Sequence, residues 1–345
     1  MKKLRVLING FGRIGRAITR INIEKDYFDL VAINDVNPEN KNIAYLLKYD
    51  NTYGKLCNRV ECNDQGIDID GKSIRVTHEQ EIRKLDLTDI DVVIESSGIK
   101  TNIEQVEQMA AASPVKRFIV TNVDTDKAHN VIFGINEETL KTDPNKILSS
   151  SICDVISLAP IYRILNENFH IESGYLLTLH PWLSYQNLLD GPAKSWSQPG
   201  DLYSHYSLGR GVTQNLIPKS TSAIRALSNL FPEVLNKVDS LSFRTPTQIV
   251  ASAVLTLVLR ENTSKEELVG LFEDYEKHQQ YDIIETTDEP LVSIDYVKNE
   301  HSAIVDTRWI KVNNDDHIEI VYWYDNEWGY SSRIVDIVKY LTGIL

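Results

Sequence analysis

The chain has 345 residues, 25% of them charged and 42% hydrophobic, the composition of an ordinary globular protein with length enough for two domains. A formal net charge of −13 excludes non-specific binding to nucleic acid or to an anionic membrane surface, though not a local basic pocket for a small anion. The three cysteines, Cys57, Cys62 and Cys153, are too few and too oddly numbered for a disulfide scaffold and fit a reducing cytoplasm; Cys57 and Cys62 lack the spacing of a zinc site.

The first eight residues run straight into a strand and carry no signal-peptide pattern. No apolar run is long enough to span a bilayer. Residues 4–8 are a short apolar strand, followed by NGFGRIG over residues 9–15 and a helical pattern through Ala17, Ile18 and Ile21. This is GxGxxG between a strand and a helix. Gly10 permits the tight turn, Gly12 lets the backbone approach a pyrophosphate at the helix N-terminus, and Gly15 allows close helix–strand packing. The next strand ends in Asp35, at the spacing where a carboxylate reaches the ribose 2′-hydroxyl and repels a 2′-phosphate. NAD is therefore favoured over NADP; the alternative role for Asp35 is to cap the following turn. Residues 42–49 read as a helix and 67–76 as a hairpin around Asp70 and Gly71. Residues 91–95 and 117–121 read as strands flanking a helix over 103–112. Such alternation predicts a parallel, doubly wound sheet up to about residue 150.

Three serines, 149–151, precede Cys153 and an apolar run over 155–165. The serines are candidate N-caps, and the run predicts a helix kinked at Pro160. A thiol at a helix N-terminus is favoured as thiolate, the nucleophilic form. Read alone, Cys153 is equally a buried structural thiol. Beyond it the pattern changes. Residues 174–180 form a strand ending in His180, and 241–244, 250–259, 292–297, 302–305 and 318–323 also read as strands. With helices over 222–230, 265–277 and 331–345, this half predicts a mixed, mostly antiparallel sheet. The domains expected are residues 1–152 and residues 153–330.

With NGFGRIGR (9–16), AIND (32–35), Cys153, His180 and WYDNEWGY (323–330) in view, the chain resembles the glyceraldehyde-3-phosphate dehydrogenase family. Further matches are KYD (48–50), DGP (190–192), GRG (209–211), QNLIP (214–218) and FRTP (243–246), so the resemblance covers nearly the whole length. It implies an NAD-dependent, glycolytic, cytoplasmic oxidoreductase: an α/β protein with a Rossmann domain completed by the terminal helix 331–345, an α+β catalytic domain over an eight-stranded sheet, and assembly as a homotetramer. It implies that Cys153 attacks a small aldehyde, His180 acts as base, and inorganic phosphate cleaves the resulting thioester. Asn9, Gly10, Phe11, Gly12, Arg13, Ile14, Asp35, Ser97, Thr121 and Asn326 match cofactor positions. Arg210, Thr221, Ser222 and Arg244 match substrate or anion positions. No metal is implied.

The chain departs from the family around the thiol. The family's SCTTNC is here ICDVIS over residues 152–157, which puts Asp154 where a threonine of the attacking-phosphate site is usual. Leu183 and Tyr185 replace threonines after the histidine, Ser207 replaces an arginine, and the loop over 193–208 is long. These changes remove hydroxyl and cationic donors and add a carboxylate. They leave three readings: the family's phosphorylating reaction with remodelled anion sites, a paralogue that oxidises another aldehyde or releases the acid by hydrolysis, and a non-catalytic NAD-binding protein.

Overall fold

Four of the five residues of β1 (Arg5–Asn9) are buried, as a central parallel strand covered on both faces requires. In chain order it is followed by α1 (Arg13–Lys25), β2 (Asp29–Asn34), α2 (Asn40–Lys48), β3 (Tyr49–Asp50), β4 (Gly54–Lys55), β5 (Val60–Asn63), β6 (Gly66–Ile69), β7 (Lys72–Thr77), β8 (Val92–Glu95), α3 (Lys100–Met109), β9 (Arg117–Val120), β10 (His129–Asn130) and β11 (Ile147–Ser149). The computed structural model describes residues 2–122 and 127–345. A nine-stranded sheet runs β10-β11-β9-β8-β1-β2-β7-β6-β5. It is parallel from β10 to β7, and the β6–β7 hairpin and β5 close one edge antiparallel. Helix α1 buries Ala17, Ile18 and Ile21, the helically spaced apolar set, and stops at Asp26, which adopts a left-handed conformation with φ 54°.

The carboxyl ends of the parallel strands align. Asn9 of β1 stands opposite Asn34 of β2 on one side and Glu95 of β8 on the other. In parallel sheets of this kind, ligands bind at that edge.

The second half opens on α4 (Cys153–Phe169) and continues through β12 (Ile171–Pro181), β13 (Ile217–Lys219), α5 (Ala223–Leu227), β14 (Val238–Thr245), β15 (Ala251–Leu259), α6 (Lys265–His278), β16 (Ile284–Thr287), β17 (Ala303–Asp306), β18 (Lys311–Asn313) and β19 (His317–Tyr324). Its eight-stranded sheet runs β13-β14-β12-β15-β19-β17-β16, with β18 on β19. Only β12–β14 and β16–β17 are parallel pairs. Helix α4 packs against β12 and β17 and is buried almost all round, so it lacks an amphipathic pattern. On the opposite face Tyr175, Leu179 and Leu241 are exposed. The chain ends in α7 (Trp328–Thr342).

By internal contacts the chain forms two units. One is Met1–Ser151 with Trp196–Gln198 and Ser331–Leu345; the other is Ile152–Ser195 with Pro199–Tyr330. Among the described residues no helix is long and apolar enough to cross a membrane.

Several local expectations are corrected. Residues 293–296 form a 3-10 turn (Ser293–Tyr296) rather than a strand, because the Asp295 carboxylate accepts from the Val292 N–H at 2.8 Å and closes the chain on itself. The serines do not cap α4. Its N-cap is Ile152 in extended conformation, no side chain caps it, and Ser151 is turned to φ 59°. Helix α4 continues past Pro160, the position where the kink is expected. Helix α5 is a turn and a half, and α7 starts three residues before the expected position.

Candidate active site

The glycine-rich turn is built by steric necessity. A Cβ on Gly10 would lie 2.4 Å from the Ser97 nitrogen, and one on Gly15 would lie 2.3 Å from the Gly10 carbonyl oxygen. At Gly12, the N-cap of α1, nothing lies within 4 Å of such a Cβ. Gly10 and Gly15 are thus required by the fold, while Gly12 leaves open space at the helix start, the pattern a pyrophosphate cradle needs.

Asp35 stands at the end of β2, where its Oδ2 accepts from the Phe11 N–H at 2.7 Å and its Oδ1 from the Asn37 N–H at 2.9 Å. It therefore both caps its own turn and braces the glycine loop. Asn9 is buried: Nδ2 donates to Glu95 Oε2, and Oδ1 accepts from Asn34 Nδ2 at 2.6 Å. Arg13 pairs with Asp50 and lies over the Tyr53 ring, 5.2 Å from its centroid. Phe11 is buried and Ile14 half-buried. Thr121 donates from N and Oγ1 to the Glu95 carbonyl at 3.0 and 3.1 Å.

Sequence reasoning passed over Glu95. It is fully enclosed and takes hydrogen bonds from Asn9 and from the backbone and hydroxyl of Ser97, yet burial outweighs them and pushes its pKa up to about 7. The available signal was an acid ending an apolar strand, as Asp35 does. Trp196, from the long loop, also joins this unit. Its indole N–H donates to the Ser97 carbonyl at 3.1 Å, and Ser197 accepts from the Lys100 N–H at 2.9 Å.

The thiol site lies wholly in the second unit. Cys153 is the first residue of α4 and His180 lies near the end of β12. Sγ and His180 Nε2 are 3.5 Å apart. His180 Nδ1 is 2.8 Å from the Pro181 carbonyl oxygen, which can only accept, so Nδ1 carries the hydrogen and Nε2 turns a lone pair toward sulfur.

Asp154, also buried, points back into the site. Its Oδ1 is 3.6 Å from Sγ and accepts from the Tyr324 hydroxyl at 2.8 Å; its Oδ2 accepts from Thr221 Oγ1 at 3.0 Å. Arg244 pairs in register with His180 across β14 and β12 and is 6% exposed; Lys219 of β13 is half-buried. Tyr185, in place of a family threonine, bonds to Arg244.

This environment reverses the expected ionisation. Burial, and then the Asp154 charge, hold the Cys153 thiol well above its usual pKa, against the pull of Arg244. Burial, and then Arg244, push His180 down to about 4. Burial works against ionised Asp154, but His180, the Tyr324 hydroxyl, Arg244 and Thr221 outweigh it and keep the carboxyl below its usual range. Burial thus works toward the uncharged forms of both thiol and imidazole.

The other predicted site residues divide. Thr221 is present, but its hydroxyl is engaged by Asp154. Ser222 is exposed at the start of α5. Arg210 is exposed and its Nε donates to Asp190 at 2.9 Å. Asn326 is buried, and its Oδ1 accepts from the Val250 N–H at 3.1 Å, leaving the amide N–H groups to donate. Of the partners of Asp154, Thr221 was among the expected anion-site residues, whereas Tyr324 carried no local signal of this role.

A dinucleotide cradle in one unit and a thiol–imidazole pair in the other define the class: a nucleotide-dependent, thiol-using dehydrogenase. The family models for the glyceraldehyde 3-phosphate dehydrogenase NAD binding domain and C-terminal domain match residues 4–103 and 150–326. The chain is 37% identical over 345 residues to glyceraldehyde-3-phosphate dehydrogenase 1 of Trichormus variabilis, covering 98% of this chain and 96% of that protein. It is 32% identical over 341 residues to glyceraldehyde-3-phosphate dehydrogenase 2 of Bacillus subtilis (98% and 97% covered) and to glyceraldehyde-3-phosphate dehydrogenase 3 of Saccharomyces cerevisiae (98% and 99%). The chain belongs to the glyceraldehyde-3-phosphate dehydrogenase family, and its cofactor is NAD.

Proposed function

We propose that the protein oxidises glyceraldehyde 3-phosphate, or a close small aldehyde, through a thiohemiacetal and then a thioester on Cys153. The observation that carries this is the Nε2 lone pair held 3.5 Å from Sγ by the Nδ1–H bond to Pro181. As sulfur adds to the carbonyl carbon, its proton passes to Nε2. Arg244, buried beside the pair, offsets the negative charge that grows on the substrate oxygen. NAD, when bound, supplies the hydride acceptor. In the first unit, the turn over Gly10, Gly12 and Gly15 would hold its pyrophosphate and Asp35 its ribose.

Release of the acyl group is where this chain departs from its relatives. Phosphate remains the primary acceptor, with acyl phosphate as product. A second reading, hydrolysis, is favoured by one observation: Thr221 already donates to Asp154, and that carboxylate lies 3.6 Å from sulfur, where it opposes an incoming anion and does not oppose water. Two like charges about 4 Å apart at an effective dielectric near 20 repel by roughly 4 kcal/mol, and a third of that is about tenfold in affinity. The exposed Tyr175, Leu179 and Leu241 on the second sheet support self-association, for which the family resemblance supplies the homotetramer.

Steady-state NADH formation with phosphorylated and unphosphorylated aldehydes, against phosphate concentration and with product identified, tests the reading. Cys153→Ser should abolish turnover while sparing NAD binding. Full activity in that variant would sink the mechanism. Acyl phosphate as sole product, at a phosphate requirement that Asp154→Thr leaves unmoved, would sink the role given to Asp154.

A further inference from the structure

Each oxygen of a carboxylate carries two lone pairs. On Asp154, Oδ2 takes the Thr221 hydroxyl at 3.0 Å, while Oδ1 takes both the Tyr324 hydroxyl at 2.8 Å and the Cys153 S–H at 3.6 Å. The two hydroxyls hold the side chain in place and favour its ionised form. The thiol hydrogen is the one donor that the chemistry removes. Once sulfur bonds to an acyl carbon no S–H remains, and the Oδ1 position it occupied opens toward the new C–S bond. We propose that Asp154 binds a water there and acts as its general base, so that the acyl group on Cys153 leaves as a free carboxylic acid. The inference deepens the hydrolytic reading above and rests on Cys153 as the acylated nucleophile.

The step closes on itself. The water oxygen bonds to the acyl carbon as one water proton passes to Oδ1. The tetrahedral adduct then expels sulfur: the C–S bond breaks, and the proton moves from Oδ1 to Sγ along the 3.6 Å contact. A water is consumed, a carboxylic acid and the thiol appear, and nothing is oxidised or reduced. Burial, and then the Asp154 charge, make Cys153 a poor thiolate, so return of the proton to sulfur is what lets it leave.

His180 does not duplicate this role. Its Nδ1 hydrogen is held on the Pro181 carbonyl at 2.8 Å, and its Nε2, 3.5 Å from sulfur, has taken the thiol proton by the time the acyl group forms. Asp154 supplies the base that a doubly protonated imidazole cannot. The threonine usual at this position in the family offers a hydroxyl and no base.

The test isolates release from oxidation. It is run in a Cys57→Ser/Cys62→Ser background, because those two thiols are exposed. An activated acetyl ester acylates Cys153 without NAD or aldehyde, and intact mass follows loss of the acetyl group in phosphate-free buffer. In oxygen-labelled water the acetate released should carry the label. Asp154→Asn, which keeps the size and cannot take the proton, should lengthen the acetyl-enzyme lifetime at least about a hundredfold, the scale of general-base catalysis. Asp154→Thr should do the same until phosphate is added. NAD affinity of each variant serves as the folding control. Equal lifetimes in parent and Asp154→Asn, or acetate without label, each overturns the proposal. Prompt hydrolysis that needs Asp154, in a protein that oxidises no aldehyde, would keep this base and discard the oxidation reading. NADH formation by a parent whose acetyl-enzyme persists until phosphate is added would do the opposite.

Discussion

A carboxylate 3.6 Å from a thiol sulfur raises the free-energy cost of ionising that thiol. Alkylation of Cys153 should therefore quicken about tenfold per pH unit between pH 7 and 9, following the thiolate fraction. Asp154→Thr should raise the pH 7 rate by at least about tenfold and leave Cys57 and Cys62 unchanged; equal rates in variant and parent would contradict the Asp154 effect. Glu95 makes a separate pH prediction. Its folded pKa of about 7 stands above the 4.5 of an ordinary glutamate, so the stabilisation from holding its proton is complete below pH 4.5 and is lost as pH rises through 7. The shift amounts to on the order of 3 kcal/mol. Glu95→Gln should remove that dependence, seen as a gap between parent and variant urea stabilities that changes between pH 4.5 and 7.5. A constant gap would mean that Glu95 is ionised throughout. The residue roles differ in how far the sequence disclosed them. Cys153, His180 and Asp35 stand in recognisable local settings. Glu95 and Tyr324 acquire their roles only from neighbours that the fold delivers.

The glycine turn and the start of α4 behave differently as elements. In the turn, Gly15→Ala drives a methyl against the Gly10 carbonyl oxygen at 2.3 Å and should destabilise by about 1–3 kcal/mol. Gly12→Ala meets nothing within 4 Å and should keep its melting temperature while weakening NAD binding, measured by fluorescence titration. If Gly12→Ala unfolds the protein, or Gly15→Ala does not destabilise it, the division between fold and ligand glycines is wrong. This element was legible because GxGxxG between strand and helix is a local geometric demand. The start of α4 was less so. Serines next to a helical run are good caps in general, but here Ser149 Oγ donates to the Asn122 carbonyl at 2.6 Å, and Ser151 is turned to φ 59°. Residues 292–297 show the same limit: a short apolar run suits strand or turn, and the Asp295–Val292 bond decides between them.

At the scale of the molecule, the change from alternating strand and helix to dense strands located both architectures, because each sheet type imposes its own period on the chain. The sequence did not disclose which distant segments share a unit: Tyr324 reaches Asp154 across 170 positions, and Trp196 returns to Ser97 across 99. The terminal helix makes a longer return to the first unit, one that the family resemblance does imply. Ile334, Val338 and Leu341 are fully buried, and Tyr340 meets Phe133 edge-on, 6.2 Å between ring centroids. Leu341→Ala should cost about 2–5 kcal/mol in urea denaturation. A loss below 1 kcal/mol would show that the helix adds little to the first unit.

That return also has a bearing on biosynthesis. Translation is directional, and domains generally fold as they emerge, N-terminal first. Here the NAD-binding unit leaves the ribosome early, yet it lacks Ser331–Leu345 until the whole second unit has been made. The nascent chain must carry an incomplete first unit through all of that interval. Stalled chains ending before residue 331 should therefore be cut readily within residues 1–151 by a protease that spares the released protein.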